Sequence, residues 1–170
     1  DFDRTVIGNP NPDFIFGFNN QFGYKNFDLS IYFQGTVGND IWNGVRVAHE
    51  GMESTYNQFT STLNRWNGEG SSNTMPRAIY ADPNRNNRAS TRWLEDGSYL
   101  RLKNLTFGYT FTQAGLRKIG VKSLRLYLSF DNLWTLTNYS GLDPEVGLWG
   151  LDYGIYPTSR TYMFGASVKF

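Results

Sequence analysis

Cysteine is absent from the 170 residues, so neither a disulfide scaffold nor a thiolate metal site is available. Histidine is nearly absent: His49 stands alone, which removes a His–His metal site and a triad with a spare base. Charge is scarce and balanced. With 16 Lys and Arg against 15 Asp and Glu, the net charge is +1 and charged residues make up 18%. That is below the roughly 25% of soluble domains. The balance gives no whole-chain attraction for nucleic acid, so none is expected as a partner. No apolar run approaches the ~18 residues of a transmembrane helix. No basic segment followed by an apolar one marks a signal peptide. The opening Asp1-Phe2-Asp3-Arg4 reads as mid-sequence, the start of a piece of something longer.

What is plentiful is aromatic side chains, at 17%, and glycine, with 18 residues. The clear periodicity is two. From Phe27 to Val37 the odd positions are Phe27, Leu29, Ile31, Phe33, Gly35 and Val37, and the even ones are Asp28, Ser30, Tyr32, Gln34 and Thr36. Apolar residues on one face and polar on the other make a strand. Leu124, Leu126, Leu128 and Phe130 alternate in the same way, as do Tyr162, Phe164, Ala166, Val168 and Phe170. Phe14, Phe16, Phe18 and Phe22 share a parity, interrupted by Asn20. From Tyr99 to Phe111 the apolar set changes parity, from Leu100 and Leu102 to Leu105, Phe107, Tyr109 and Phe111. One extra residue near Asn104 does this, the signature of a β-bulge.

Five strands of about 9 to 13 residues exceed the usual mode of roughly 5 to 6 and match the length needed to cross a bilayer at a tilt. Their connections alternate in length: short around Gly23–Asn26, long from Gly38 to Ser98, short from Thr112 to Lys122 with Gly115 and Gly120, long from Leu133 to Ser159. Short periplasmic turns and long extracellular loops are the pattern of outer-membrane barrels. Phe170 then lies at the periplasmic end. Tyr56, Phe59, Leu63 and Trp66 fall on one helical face, which predicts a helix in the first long loop. Aromatic residues gather toward strand ends (Phe14, Tyr99, Phe111, Trp134, Tyr162, Phe170), as membrane-interface girdles do. Asp28, Arg125, Asp131 and Lys169 fall on the lumen-facing parity. The fold class expected is therefore all-β: an antiparallel transmembrane β-barrel segment with long extracellular loops. Five strands cannot close such a barrel, so the chain belongs to a longer barrel or to an assembly.

Three stretches carry a resemblance. They are Asp96-Gly97-Ser98-Tyr99-Leu100-Arg101-Leu102-Lys103-Asn104-Leu105-Thr106-Phe107-Gly108-Tyr109-Thr110, then Leu124–Tyr127 with Asn132–Glu145, then Tyr156–Phe170. In that order they resemble the end of SusC-like TonB-dependent transporters of the Bacteroidetes outer membrane, closely from Asp96 to Phe170 and more loosely from Phe14 to Gly44. The resemblance implies a 22-stranded barrel with a plug and a TonB box, neither of which is visible here. Residues 1–170 would then be the C-terminal part, about the last five strands, with 38–98 and 134–159 as extracellular loops. It implies a SusD-like surface lipoprotein as partner, import of glycans or peptides energised through the TonB complex, and no cofactor and no bond changed in the substrate. It places the protein in the outer membrane, against lipid and lipopolysaccharide. Tyr162, Phe164 and Phe170 resemble the signal read by the barrel-assembly machinery.

Trp42, Trp66, Tyr56 and Trp149 are the candidate substrate contacts, because a sugar face stacks well on an aromatic ring. The competing reading is an interfacial belt, or loop packing, for all five Trp including Trp93 and Trp134. Asp143-Pro144-Glu145 reads as a turn, with too few oxygens for Ca²⁺. Arg85, Arg88 and Arg92 read as a solvated loop, Tyr80–Pro83 as a turn, and His49-Glu50 as an exposed loop pair. No catalytic and no metal-ligating set is expected. Three rival readings stay open: a soluble carbohydrate-binding β-sandwich, an outer-membrane enzyme, and a barrel with a structural or secretory role.

Overall fold

The computed structural model describes residues 4–112, 116, 118 and 120–170. Asp1, Phe2 and Asp3 of the opening, and Gly115 of the second short connection, lie outside them. The elements are β1 (Phe14–Tyr24), β2 (Phe27–Val37), β3 (Asp40–Asn43), α1 (Gly44–Glu50), β4 (Leu94–Asp96), β5 (Tyr99–Phe111), β6 (Ser123–Thr137), β7 (Leu151–Asp152) and β8 (Thr161–Lys169). Single 3₁₀ turns occupy Thr60–Asn64 and Thr91–Trp93. Two compact units result. The sheet unit takes Asp13–Val37, Ser98–Asn138 and Pro157–Phe170, and the loop unit takes the rest.

The sheet unit is an antiparallel meander in the order β1-β2-β5-β6-β8. The expected second, third and fifth strands match the observed ones to within a residue, whereas β6 runs on to Thr137. Trp134 is therefore a strand residue, not the first residue of a loop. Register explains the two-residue patterning, because apolar residues line up across all five strands. One row reads Phe22, Leu29, Phe107, Leu128, Phe164, and another Tyr24, Phe27, Tyr109, Leu126, Ala166. Most of these side chains are exposed, including Phe22, Phe27, Phe107, Leu128 and Phe164. The large apolar residues that are fully or nearly buried, Ile41, Met52, Trp93 and Tyr139, all belong to the loop unit. A sandwich would bury one face of such a sheet against a second sheet of similar size. Here the other sheet has three short strands, in the other unit. Eleven residues at ~3.3 Å each give about 36 Å of strand, or about 25 Å of rise at a 45° tilt, the height of a barrel's apolar band.

The opposite face is polar and internally bonded. Asn104 Nδ2 donates to Asp131 Oδ1 at 2.7 Å, and the Thr106 and Ser129 hydroxyls pair at 2.8 Å. Arg125 Nε donates to Asp28 Oδ1 at 2.9 Å while its Nη2 meets Oδ2. That pair joins β2 to β6 across the intervening β5, and it crosses at Gly108. A Cβ there would lie 2.5 Å from Asp28 Oδ1 and 2.6 Å from Arg125 Nη2, so only glycine leaves room. The parity change in β5 is a real irregularity: register slips between Leu102 and Asn104, leaving Lys103 as the extra residue.

The loop unit is folded in its own right. β3 pairs antiparallel with β4 and parallel with β7. Ile41 and Trp93, both 0% exposed, form its apolar centre with Met52 and Tyr139. The helix is not where the Tyr56–Trp66 spacing put it. That stretch holds only the 3₁₀ turn at Thr60–Asn64, and Tyr56 and Leu63 are exposed. Thr60, Ser61 and Thr62 explain the failure, since hydroxyl side chains compete for the helix's own backbone bonds. Thr62 Oγ1 indeed donates to Phe59 O at 2.8 Å. The actual helix, α1, starts where Asn43 Oδ1 accepts from Arg46 N at 2.9 Å. An Asn cap satisfies one of the orphan N–H groups at a helix start.

Candidate functional site

The chemistry of the loop unit converges on Glu95. Its Oε1 accepts from Arg46 Nη1 at 2.8 Å, Asn43 Nδ2 at 3.0 Å and Ser140 Oγ at 2.9 Å, and its Oε2 from Ser140 N at 2.8 Å. Arg46 is also held by Glu50, with Nε to Oε2 at 2.9 Å, at the i,i+4 spacing that faces side chains on a helix. Ser61 Oγ donates to the other Glu50 oxygen at 2.7 Å. Nearby, Tyr139 OH donates to Asp152 Oδ2 at 2.6 Å, and Asp152 Oδ1 accepts from Gly154 N at 2.8 Å and Ile155 N at 3.1 Å. Five chain segments are thus tied by charge-assisted bonds, which run about twice the strength of neutral ones.

The electrostatics follow the geometry. Burial alone would raise the Glu95 carboxyl, but the bonds from Arg46 and Ser140 outweigh it and hold it below its ordinary value. Burial would likewise lower Arg46, and the bonds to Glu95 and Glu50 raise it instead. Tyr139 is pushed upward, first by burial and then by its bond to Asp152. Arg92 is lowered by burial, with its guanidinium 4.3 Å over the Trp93 ring.

Two hollows open beside this cluster. One, of about 610 Å³, is lined by Arg46, Glu50, Phe59, Ser61, Glu95 and Ser140 among others. A narrower one, of about 130 Å³, shares Arg46, Phe59 and Ser140 and adds Val45, Leu142, Asp152 and Ile155. Among the described residues there is no group of three or more His, Asp or Glu side chains placed to hold a metal. The arrangement suits binding of a neutral or mixed ligand, since the charges are already partnered.

The candidate substrate contacts fall elsewhere. None of Trp42, Tyr56, Trp66 and Trp149 lines either hollow. Tyr56 and Trp149 stand out, 77% and 82% exposed. Trp42 is half-buried in β3, and half-buried Trp66 lies under Arg77 at 5.8 Å. Tyr162, Phe164 and Phe170 are exposed on or just after β8. The Asp143 turn is present, with Glu145 N donating to Asp143 Oδ1 at 2.9 Å. Asp82 N donates to Ile79 O in the Tyr80–Pro83 turn. Arg85 and Arg88 are exposed, while Arg92 is half-buried against Trp93. His49-Glu50 needs correcting from an exposed loop pair. Both residues lie on α1, and Glu50 is buried by its ion pair. Arg46, Glu95 and Ser140 were missed. An Asn followed by Arg and Glu four apart was the available signal.

No family model matches the chain. Individual proteins do. TonB-dependent receptor P3 of Formosa agariphila is 40% identical over 99% of the chain, and SusC of Bacteroides thetaiotaomicron is 28% identical over 99%. The chain's relatives are TonB-dependent receptors, SusC among them. The likeness to SusC takes in Phe14–Gly44 as well as Asp96–Phe170. Among solved structures, the RagAB peptide importer in its closed-closed state superposes with a TM-score of 0.84 at 28% identity over 97% of the chain. Its open-open state gives 0.78 at 27% identity over 94%. The chain spans 17% of P3, 16% of SusC and 18% of the matched closed-closed RagAB chain, about a sixth of each.

Proposed function

We propose that the chain is part of an outer-membrane importer: five strands of a TonB-dependent β-barrel, with the loop unit on the outside of the cell. The apolar face running in register across all five strands carries this reading, because it is exposed and as tall as a bilayer core. The kinship with TonB-dependent receptors supports it. The finer reading is that residues 1–170 are the last five strands of a 22-stranded barrel and that 38–98 and 134–159 face outward. The barrel imports oligosaccharides or peptides, capped by a SusD-like lipoprotein and driven by the TonB complex through parts outside this chain. RagAB, a peptide importer, supports the peptide branch. The polar face, with Asp28–Arg125, lines the interior. The apolar face meets lipid and lipopolysaccharide. No bond in the substrate changes. Exposed Tyr56 and Trp149 are stronger substrate contacts than half-buried Trp42 and Trp66. Tyr162, Phe164 and Phe170 serve the barrel-assembly machinery.

The test is topological. In the full-length protein, Asn73→Cys in the loop unit and Lys118→Cys in the short connection are labelled with an impermeant maleimide. Labelling of Asn73→Cys on intact cells, with Lys118→Cys labelled only after the outer membrane is opened, is expected. The reverse pattern, or a protein that leaves the membrane fraction without detergent, overturns the reading.

A further inference from the structure

The narrower hollow differs in kind from its neighbour. Val45, Phe59, Leu142 and Ile155 give it apolar walls, and at about 130 Å³ it is sized for a branched aliphatic group. An apolar cavity of ~150 Å³ takes a benzene ring. Where the two hollows meet stands Arg46. Its Nε and Nη1 are held by Glu50 and Glu95, which fixes the guanidinium, and its Nη2 donates to no group among the described residues. This nitrogen can donate to an acceptor on a ligand. The carboxylates Glu50, Glu95 and Asp152 outnumber the guanidiniums of Arg46 and Arg92, so a ligand carboxylate is repelled and a neutral carbonyl is favoured.

From this geometry we infer a peptide subsite. An aliphatic side chain fills the Val45–Leu142–Ile155 slot, and the carbonyl beside it accepts from Arg46 Nη2. A saccharide fits worse, because its hydroxyls would lose water against those walls while the polar groups of the lining, Asn43, Ser140 and Asp152, are already engaged. The subsite rests on the importer reading for its place outside the membrane, and it deepens that reading by naming the substrate class. The chemistry of the walls also sets the preference: Leu, Ile or Met at the docking position, not Gly, Ser or Asp.

The experiment is calorimetric titration of the full-length protein in detergent with blocked Gly-Gly-Leu-Gly-Gly, blocked pentaglycine and a neutral glucan oligomer. Burying a leucine side chain predicts binding about tenfold to a hundredfold tighter for the leucine peptide than for pentaglycine. Val45→Phe and, separately, Ile155→Trp should fill the slot and erase that ratio, while Tyr80→Ala, away from the hollows, keeps it. Equal affinity for the two peptides, tighter binding of the glucan, or a ratio that survives both slot-filling variants overturns the subsite. Failure of the importer reading shows separately, as a leucine preference in a protein that the labelling places outside the membrane.

Discussion

Leu105 lies midway along the 13 residues of β5, between Ile31 and Phe130 on the apolar face. If that face meets lipid, Leu105 sits near the bilayer midplane, where arginine costs about 2–4 kcal/mol. Every 1.4 kcal/mol is tenfold in an equilibrium constant, so Leu105→Arg should lower the folded-to-unfolded ratio by about thirty-fold to a thousandfold. The matched control is Asn19→Arg. Asn19 pairs with Tyr32 on the other face and is exposed to what would be a watery interior. There the cost should stay within about 0.5 kcal/mol, as for ordinary exposed substitutions. The assay is urea unfolding of the full-length protein in lipid vesicles, read by loss of the compact, heat-sensitive gel band. A large drop in midpoint for Leu105→Arg against little change for Asn19→Arg is expected. Equal shifts, or a larger one for Asn19→Arg, would refute the assignment of the apolar face to lipid.

Three further outcomes follow from the contacts. Gly108→Ala should cost about 1–3 kcal/mol by urea midpoint, because its methyl strikes the Asp28–Arg125 pair, and most of that cost should vanish in an Asp28→Ala background. Trp93→Ala should remove about 3–5 kcal/mol from the loop unit, seen as rapid protease cutting between residues 38 and 97, since the ring is 0% exposed. The Glu95 carboxyl is held below its ordinary value of 4.5, so its stabilisation is present above that pH and is lost as pH falls through the lowered value. Protease resistance of the loop unit should therefore fall in that acid range, and Glu95→Gln should flatten the profile while weakening the unit at neutral pH.

Strands were legible because one face is apolar at every second residue, and the β5 irregularity was legible for the same reason. Lys103 is a single extra residue, and one residue flips parity. The matching irregularity in β6 was invisible. There Asn132 and Leu133 stand opposite Lys103, and two extra residues leave parity untouched. The one local trace is Asn132 itself, at a φ of 54°, since Asn tolerates the left-handed region better than most residues. The misplaced helix has the opposite cause. Tyr56, Phe59, Leu63 and Trp66 repeat at helical spacing, yet the hydroxyls between them spoil it and Tyr56 and Leu63 stay exposed. The Arg46–Glu95 cluster was unreadable because its members lie 49 residues apart. Only the chain's return through β5 and β6 shows that residues 95 and 140 meet.

That return also favours one order of events. Glu95 and Ser140 are 45 residues apart, and closing a flexible loop of that length has an entropic cost. Once β5 and β6 pair, with Tyr99 opposite Thr137, the two residues lie only a few positions beyond the last rung of the ladder. Their bonds then form almost without further loss of chain freedom. Pairing β5 with β6 first is therefore the less costly order in chain entropy, and the loop unit's polar hub then closes over a short span. A slip of the ladder would carry Ser140 away from Glu95 and strip that carboxylate of two of its four bonds.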